Sequence, residues 1–136
     1  MDILQHSIGG LPAFLLYLAT SLALLVLFIV LYIWVTPYRE VALIREGNVA
    51  AAASLSGTIL GFVIPLAHAV ALSVNLADMA LWGLIALVVQ LLVFFVVTRI
   101  MPGLARDIPA GKVAPGILLG ALSLGTGILN AACMTY

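Results

Sequence analysis

The sequence predicts an all-α fold: an integral membrane four-helix bundle built as a tandem parallel repeat of two transmembrane helices. Three observations predict it. Hydrophobic residues make up 65% of the 136 positions and charged residues only 7%, whereas a soluble domain is about half apolar and a quarter charged. Four apolar stretches are long enough to cross a hydrocarbon core of about 30 Å, which takes roughly 20 helical residues each. The two halves of the chain also share one order of bulky span, proline, basic connection, glycine and small-residue span. Residues 1–136 therefore read as a single membrane domain, with repeat units at about 11–72 and about 79–133.

The start, MDILQHSIGG, is acidic and lacks the basic region of a signal peptide, so the first apolar segment is expected to remain as a span. That span runs from about Leu11 to Val35, opened by Pro12 and closed by Thr36–Pro37. Proline fits a first helical turn and ends a helix that it follows. The second span begins after Asn48 and reaches about Leu72; the third covers about Met79 to Thr98 and stops before Pro102; the fourth covers about Val113 to Ala132. Between the first two, YREVALIREG reads as a short interfacial helix with Arg39 and Arg45 beside Glu40 and Glu46, its charges solvated and paired.

Charge sets the expected orientation. All five basic residues, Arg39, Arg45, Arg99, Arg106 and Lys112, lie in or beside the connections between spans one and two and between spans three and four. Short connections rich in Lys and Arg stay in the cytoplasm. Both termini are therefore expected on the opposite face of the membrane, away from the cytoplasm. So uneven a distribution also argues against insertion in both orientations.

The connections TPYREVALIREGNVA and MPGLARDIPAGKVA align, with Gly47–Asn48–Val49–Ala50 on Gly111–Lys112–Val113–Ala114. Spans one and three carry Leu, Val, Ile and Phe, while spans two and four are rich in small residues. Lipid supplies no hydrophobic force between helices, so close approach through small residues drives their association. Spans two and four are thus expected to make the inner contacts. Ala50, Ser54, Gly57, Gly61 and His68 form one stripe, and Gly116, Gly120, Ser123, Gly127 and Asn130 another.

Pro65 lies inside span two. It has no N–H to donate and crowds the carbonyl four residues back, that of Gly61. A carbonyl left unpaired in hydrocarbon costs several kcal/mol. It must be satisfied within the protein or by water or a ligand. Candidate partners are His68, Gln90, Ser123, Thr126 and Asn130, and Ser56 joins them as a candidate on the same path. Gln90 itself needs a partner, as an interhelical tie or a substrate contact.

Proton relays and cation pumps place an ionisable group at membrane depth; no Asp, Glu, Lys or Arg lies deep in any span. No phosphate loop, catalytic triad or HExxH occurs, and Cys133 is the sole cysteine, so no metal, cofactor or catalytic residue is assigned. An enzyme is not expected, and a net charge of zero gives no case for nucleic acid.

NVAAAASLSGTILGFVIPL, WGLIALVVQLLVF and the ending NAACMTY resemble the YjfL-like bacterial inner-membrane family, domain of unknown function 350. The resemblance covers nearly the whole chain and implies four membrane helices, with no activity attached. Asn48, Ser54, Ser56, Gly57, Gly61, Pro65, Gln90, Asn130 and Cys133 carry the match.

Two functions fit these features. One is a homo-oligomeric, channel-like or passive transport protein, with spans two and four flanking a path for a small ion or polar solute. The other is a membrane adaptor whose basic connections recruit a soluble partner or anionic lipid.

Overall fold

The computed structural model describes residues 2–134. Met1, and the last two residues of the NAACMTY motif, Thr135 and Tyr136, lie outside the described residues. All regular structure among the described residues is helical: α1 (Asp2–Gly9), α2 (Leu11–Val35), α3 (Glu40–Arg45), α4 (Val49–Leu72), α5 (Leu76–Ile100), α6 (Leu104–Asp107) and α7 (Val113–Cys133). Four segments are long and apolar enough to cross a membrane: α1 with α2, then α4, α5 and α7.

Punctuation follows the sequence. Pro12 sits in the first turn of α2, and Thr36 closes it by donating its backbone N–H and its Oγ1–H, the latter at 2.6 Å, to the Tyr32 carbonyl. The start at residues 2–9 adds a helix that the apolar pattern does not predict, and its residues are all exposed.

The two connections close alike. Gly47 and Gly111 adopt φ values of +85° and +84°, a left-handed conformation that only glycine adopts cheaply. After each, the next residue donates its backbone N–H to a carbonyl five residues back, Asn48 to Leu43 and Lys112 to Asp107. This turn ends α3 and α6 and aims the chain into α4 and α7. Asn48 then caps α4, its Oδ1 accepting from the Ala51 N–H at 2.9 Å, while its Nδ2 donates to the Ile108 carbonyl at 2.9 Å across the other connection. One side chain thus joins both turns. Losing a cap costs about 1 kcal/mol, so Asn48→Ala is expected to lower stability by about 1–2 kcal/mol, read as thermal unfolding in detergent, with Asn48→Asp recovering only the cap.

α4 and α7 form the spine. Gly116 packs on Ala50, Gly57 on Gly120, and Gly127 on Gly61, each with backbone against backbone. The paired positions advance together along both helices, so α4 and α7 run parallel. Both stripes of small residues expected from the sequence face one another here. α2 docks on α4 and α5 through Leu24, Phe28 and Tyr32, spaced four residues apart. Phe28 stacks on Phe62 of α4 at 4.6 Å, and Tyr32 meets Phe94 of α5 edge-on at 5.2 Å. The remainder of α2 is largely exposed, as a lipid-facing span would be.

Candidate functional site

Three helices meet at the carbonyl that Pro65 frees. Gln90 of α5 is fully buried, and its Nε2 donates to the Gly61 carbonyl at 2.9 Å and to the Ser123 carbonyl at 3.0 Å. Two acceptors on one nitrogen fix the amide orientation, because a flipped oxygen would face two oxygens. Gln90 is therefore the interhelical tie: it supplies to Gly61 the hydrogen bond that position 65 cannot. Below it, Thr58 donates its Oγ1–H to the Ser54 carbonyl at 2.8 Å and lies 3.4 Å from Ser123 Oγ.

The other candidates take separate places. Ser56 points outward and is exposed, so it does not belong to the inner face. Thr126 lines a groove between α5 and α7 with Val89, Leu92 and Leu122, away from the bonds that Gly61 makes. The amide nitrogen of Asn130 is buried, and no hydrogen bond joins it to Gly61 or to any other group among the described residues. His68 Nε2 lies 3.0 Å from the Met134 carbonyl, joining the far ends of α4 and α7. Periodicity placed His68 and Asn130 on the small-residue stripes, but the rotation of each helix about its axis decides which residues reach the centre. Arg39, Arg45, Arg99, Arg106 and Lys112 are all exposed, and Lys112 pairs with Asp107 at 3.5 Å.

A second polar cluster lies where α2 turns into α3, and sequence reasoning missed it. Glu40 is 0% exposed, and neither carboxyl oxygen has a hydrogen-bond partner. The expected pairing of Glu40 with a neighbouring arginine is not made; the one ion pair found among the described residues is that of Lys112. The turn at Thr36–Pro37 folds α3 back against α4, which carries Glu40 under the bundle while Arg39 and Arg45 stay outside. The hydroxyls of Tyr32 and Tyr38 are buried beside it, also without partners. Burial pushes the Glu40 carboxyl up to about 8, the Tyr38 hydroxyl acting in the opposite direction. Burial first, and the Glu40 charge second, push the Tyr38 phenol above its ordinary value. The signal available in the sequence was Glu40 among Thr36, Pro37 and Tyr38, too close to the end of α2 to reach far into water.

Beside this cluster lies an open groove of about 610 Å³ bordered by Trp34, Thr36, Pro37, Tyr38, Arg39, Glu40 and Arg45, among others. Trp34 is 82% exposed at its edge. Two arginines and an indole at the end of a span make a surface suited to the headgroup level, where amphipathic rings and basic side chains are both favoured. No group of three or more His, Cys, Asp or Glu side chains placed to hold a metal ion occurs among the described residues.

The model of the family described as Domain of Unknown Function (DUF350) matches residues 6–134. The chain is 43% identical, over 97% of its own length and all of the relative's, to the UPF0719 inner membrane protein YjfL of Escherichia coli strain K12. It is 28% identical to the UPF0719 transmembrane protein YshE of Bacillus subtilis strain 168, over 85% of its own length and 88% of the relative's. No solved structure matches it.

Proposed function

The chain belongs to the DUF350 family of membrane proteins, and from that premise we propose that it is a membrane adaptor that holds an anionic lipid headgroup in the groove of Trp34, Arg39 and Arg45. In this reading the basic connections face the cytoplasm and both termini the periplasm, as the position of every Lys and Arg supports. The observation that carries it is the groove itself: two exposed guanidinium groups and an exposed indole at the end of a span, with no carboxylate among the described residues paired to either arginine. Guanidinium groups pair in bidentate fashion with phosphate.

The passive-transport reading has less support. It asks for polar groups along a path, yet the polar stripe of α4 is packed against that of α7. The Gly61 carbonyl, its first candidate for a permeant contact, is taken by Gln90. The outward faces of α2, α5 and α7 are lined by Leu, Ile, Val and Phe.

A basic residue near an anionic surface contributes about 1 kcal/mol. Replacing Arg39 and Arg45 together with glutamine is therefore expected to weaken the preference for spin-labelled phosphatidylglycerol over phosphatidylcholine by about tenfold or more in mixed bilayers. Equal preference in the wild-type and double-variant proteins would refute lipid capture. Flux of ions or small solutes through the folded wild-type protein in liposomes would return the case to transport.

A further inference from the structure

The mode of burial of Glu40 carries an inference separate from lipid capture. As a carboxylate, Glu40 would be a fully buried negative charge with no cation beside it and only the Tyr38 hydroxyl to favour it, and burial disfavours such a charge strongly. As a neutral acid it has one donor to give, and the phenols of Tyr32 and Tyr38 each have one donor and room to accept. The three hydroxyls can then satisfy one another in the space where all are now orphaned. We propose that Glu40, with Tyr32 and Tyr38, forms a proton-binding site that exchanges with solvent through the groove beside Trp34.

The surroundings favour the proton. From α2, Tyr32 faces the site; from the turn, Tyr38 does, with Arg39 exposed at the rim; from α3, Arg45 is likewise at the rim. From α4, Ser54 lies beside Tyr38 and Thr58 beside Tyr32, and neither titrates. α5 contributes Phe94, packed on Tyr32, and its terminal Arg99 is exposed. No cation therefore compensates an ionised Glu40. The groove, which Glu40 borders without exposing its carboxyl, marks the side of the fold nearest to water, from which the proton would exchange.

The folded carboxyl titrates at about 8 and the unfolded one near its ordinary 4.5. Between these values the folded chain holds one proton more than the unfolded chain, so stability falls as pH rises across that window and levels off above it. Glu40→Gln keeps the shape of the neutral acid and removes this loss.

The test is an infrared titration of the protein in nanodiscs. Expected is a protonated-carboxyl band at neutral pH that fades around pH 8, is absent from Glu40→Gln, and persists to higher pH in Tyr38→Phe, which lacks the hydroxyl that favours ionisation. In parallel, thermal unfolding of wild type and Glu40→Gln should coincide at acid pH and diverge as pH rises, the variant melting higher. A Glu40 band that fades in the ordinary carboxylate range would overturn the proposal. So would a band absent at neutral pH in sodium or potassium buffers but present in choline, because the site would then hold a metal cation. Should Glu40→Gln fail to fold, the wild-type and Tyr38→Phe titrations alone decide.

Discussion

Gly57→Leu is expected to prevent α4 from reaching α7 and to leave the chain without its folded bundle. A side chain at Gly57 would start inside the backbone of Gly120, and neither helix has a rotamer to move out of the way. Overpacking in a core costs about 1–3 kcal/mol where side chains can shift. Here the obstacle is main chain, so a loss of about 4 kcal/mol or more is expected. Gly127→Leu strikes the Gly61 backbone in the same way. Gly125 is the control: it lies on the same helix with open space around it, and Gly125→Ala should fold as the wild type does. The measurement is the fraction of folded protein after detergent extraction, followed by thermal unfolding. Normal folding of Gly57→Leu would mean that the seam is not the spine of the bundle.

The second large effect concerns Gln90. In Gln90→Leu the Gly61 carbonyl loses the donor that Pro65 denies it, and the Ser123 carbonyl loses a second one. The buried Gly61 acceptor left unpaired costs about 1–3 kcal/mol and the lost second bond to Ser123 about 1 kcal/mol, so the variant should lose about 2–4 kcal/mol. Pro65→Ala supplies a backbone N–H four residues after Gly61. It should restore part of the loss in the double variant while changing the wild type little. A double-mutant cycle measures this coupling. Simple additivity of the two substitutions would show that Gln90 does not stand in for the missing N–H.

The spans were legible because bilayer thickness demands a length, and Pro12, Pro37 and Pro102 mark its limits. Helix ends at Val35, Leu72 and Cys133 fall within a residue or so of the apolar limits. The seam was legible too, since Gly57, Gly61, Gly116 and Gly120 are small at helical spacing and lipid gives such residues no other use. The choice of Gln90 over Asn130 or Thr126 was not. It depends on the rotation of three helices about their axes, which apolar runs that are nearly uniform around the helix leave unspecified. Glu40 was hidden for a different reason. A charge just beyond a span reads as solvated, and only the fold-back of α3 after Thr36–Pro37 brings it inward.

The parallel seam also bears on how the chain is made. α4 enters the bilayer with its glycine face unmatched and one main-chain oxygen unpaired, and Gln90 and Gly120 have yet to be synthesised. α4 and α7 are also the less apolar of the four crossings. The glycine face of α4 therefore stays uncovered until α7 emerges from the ribosome, and chains cut short before residue 113 should be cleared by quality-control proteases.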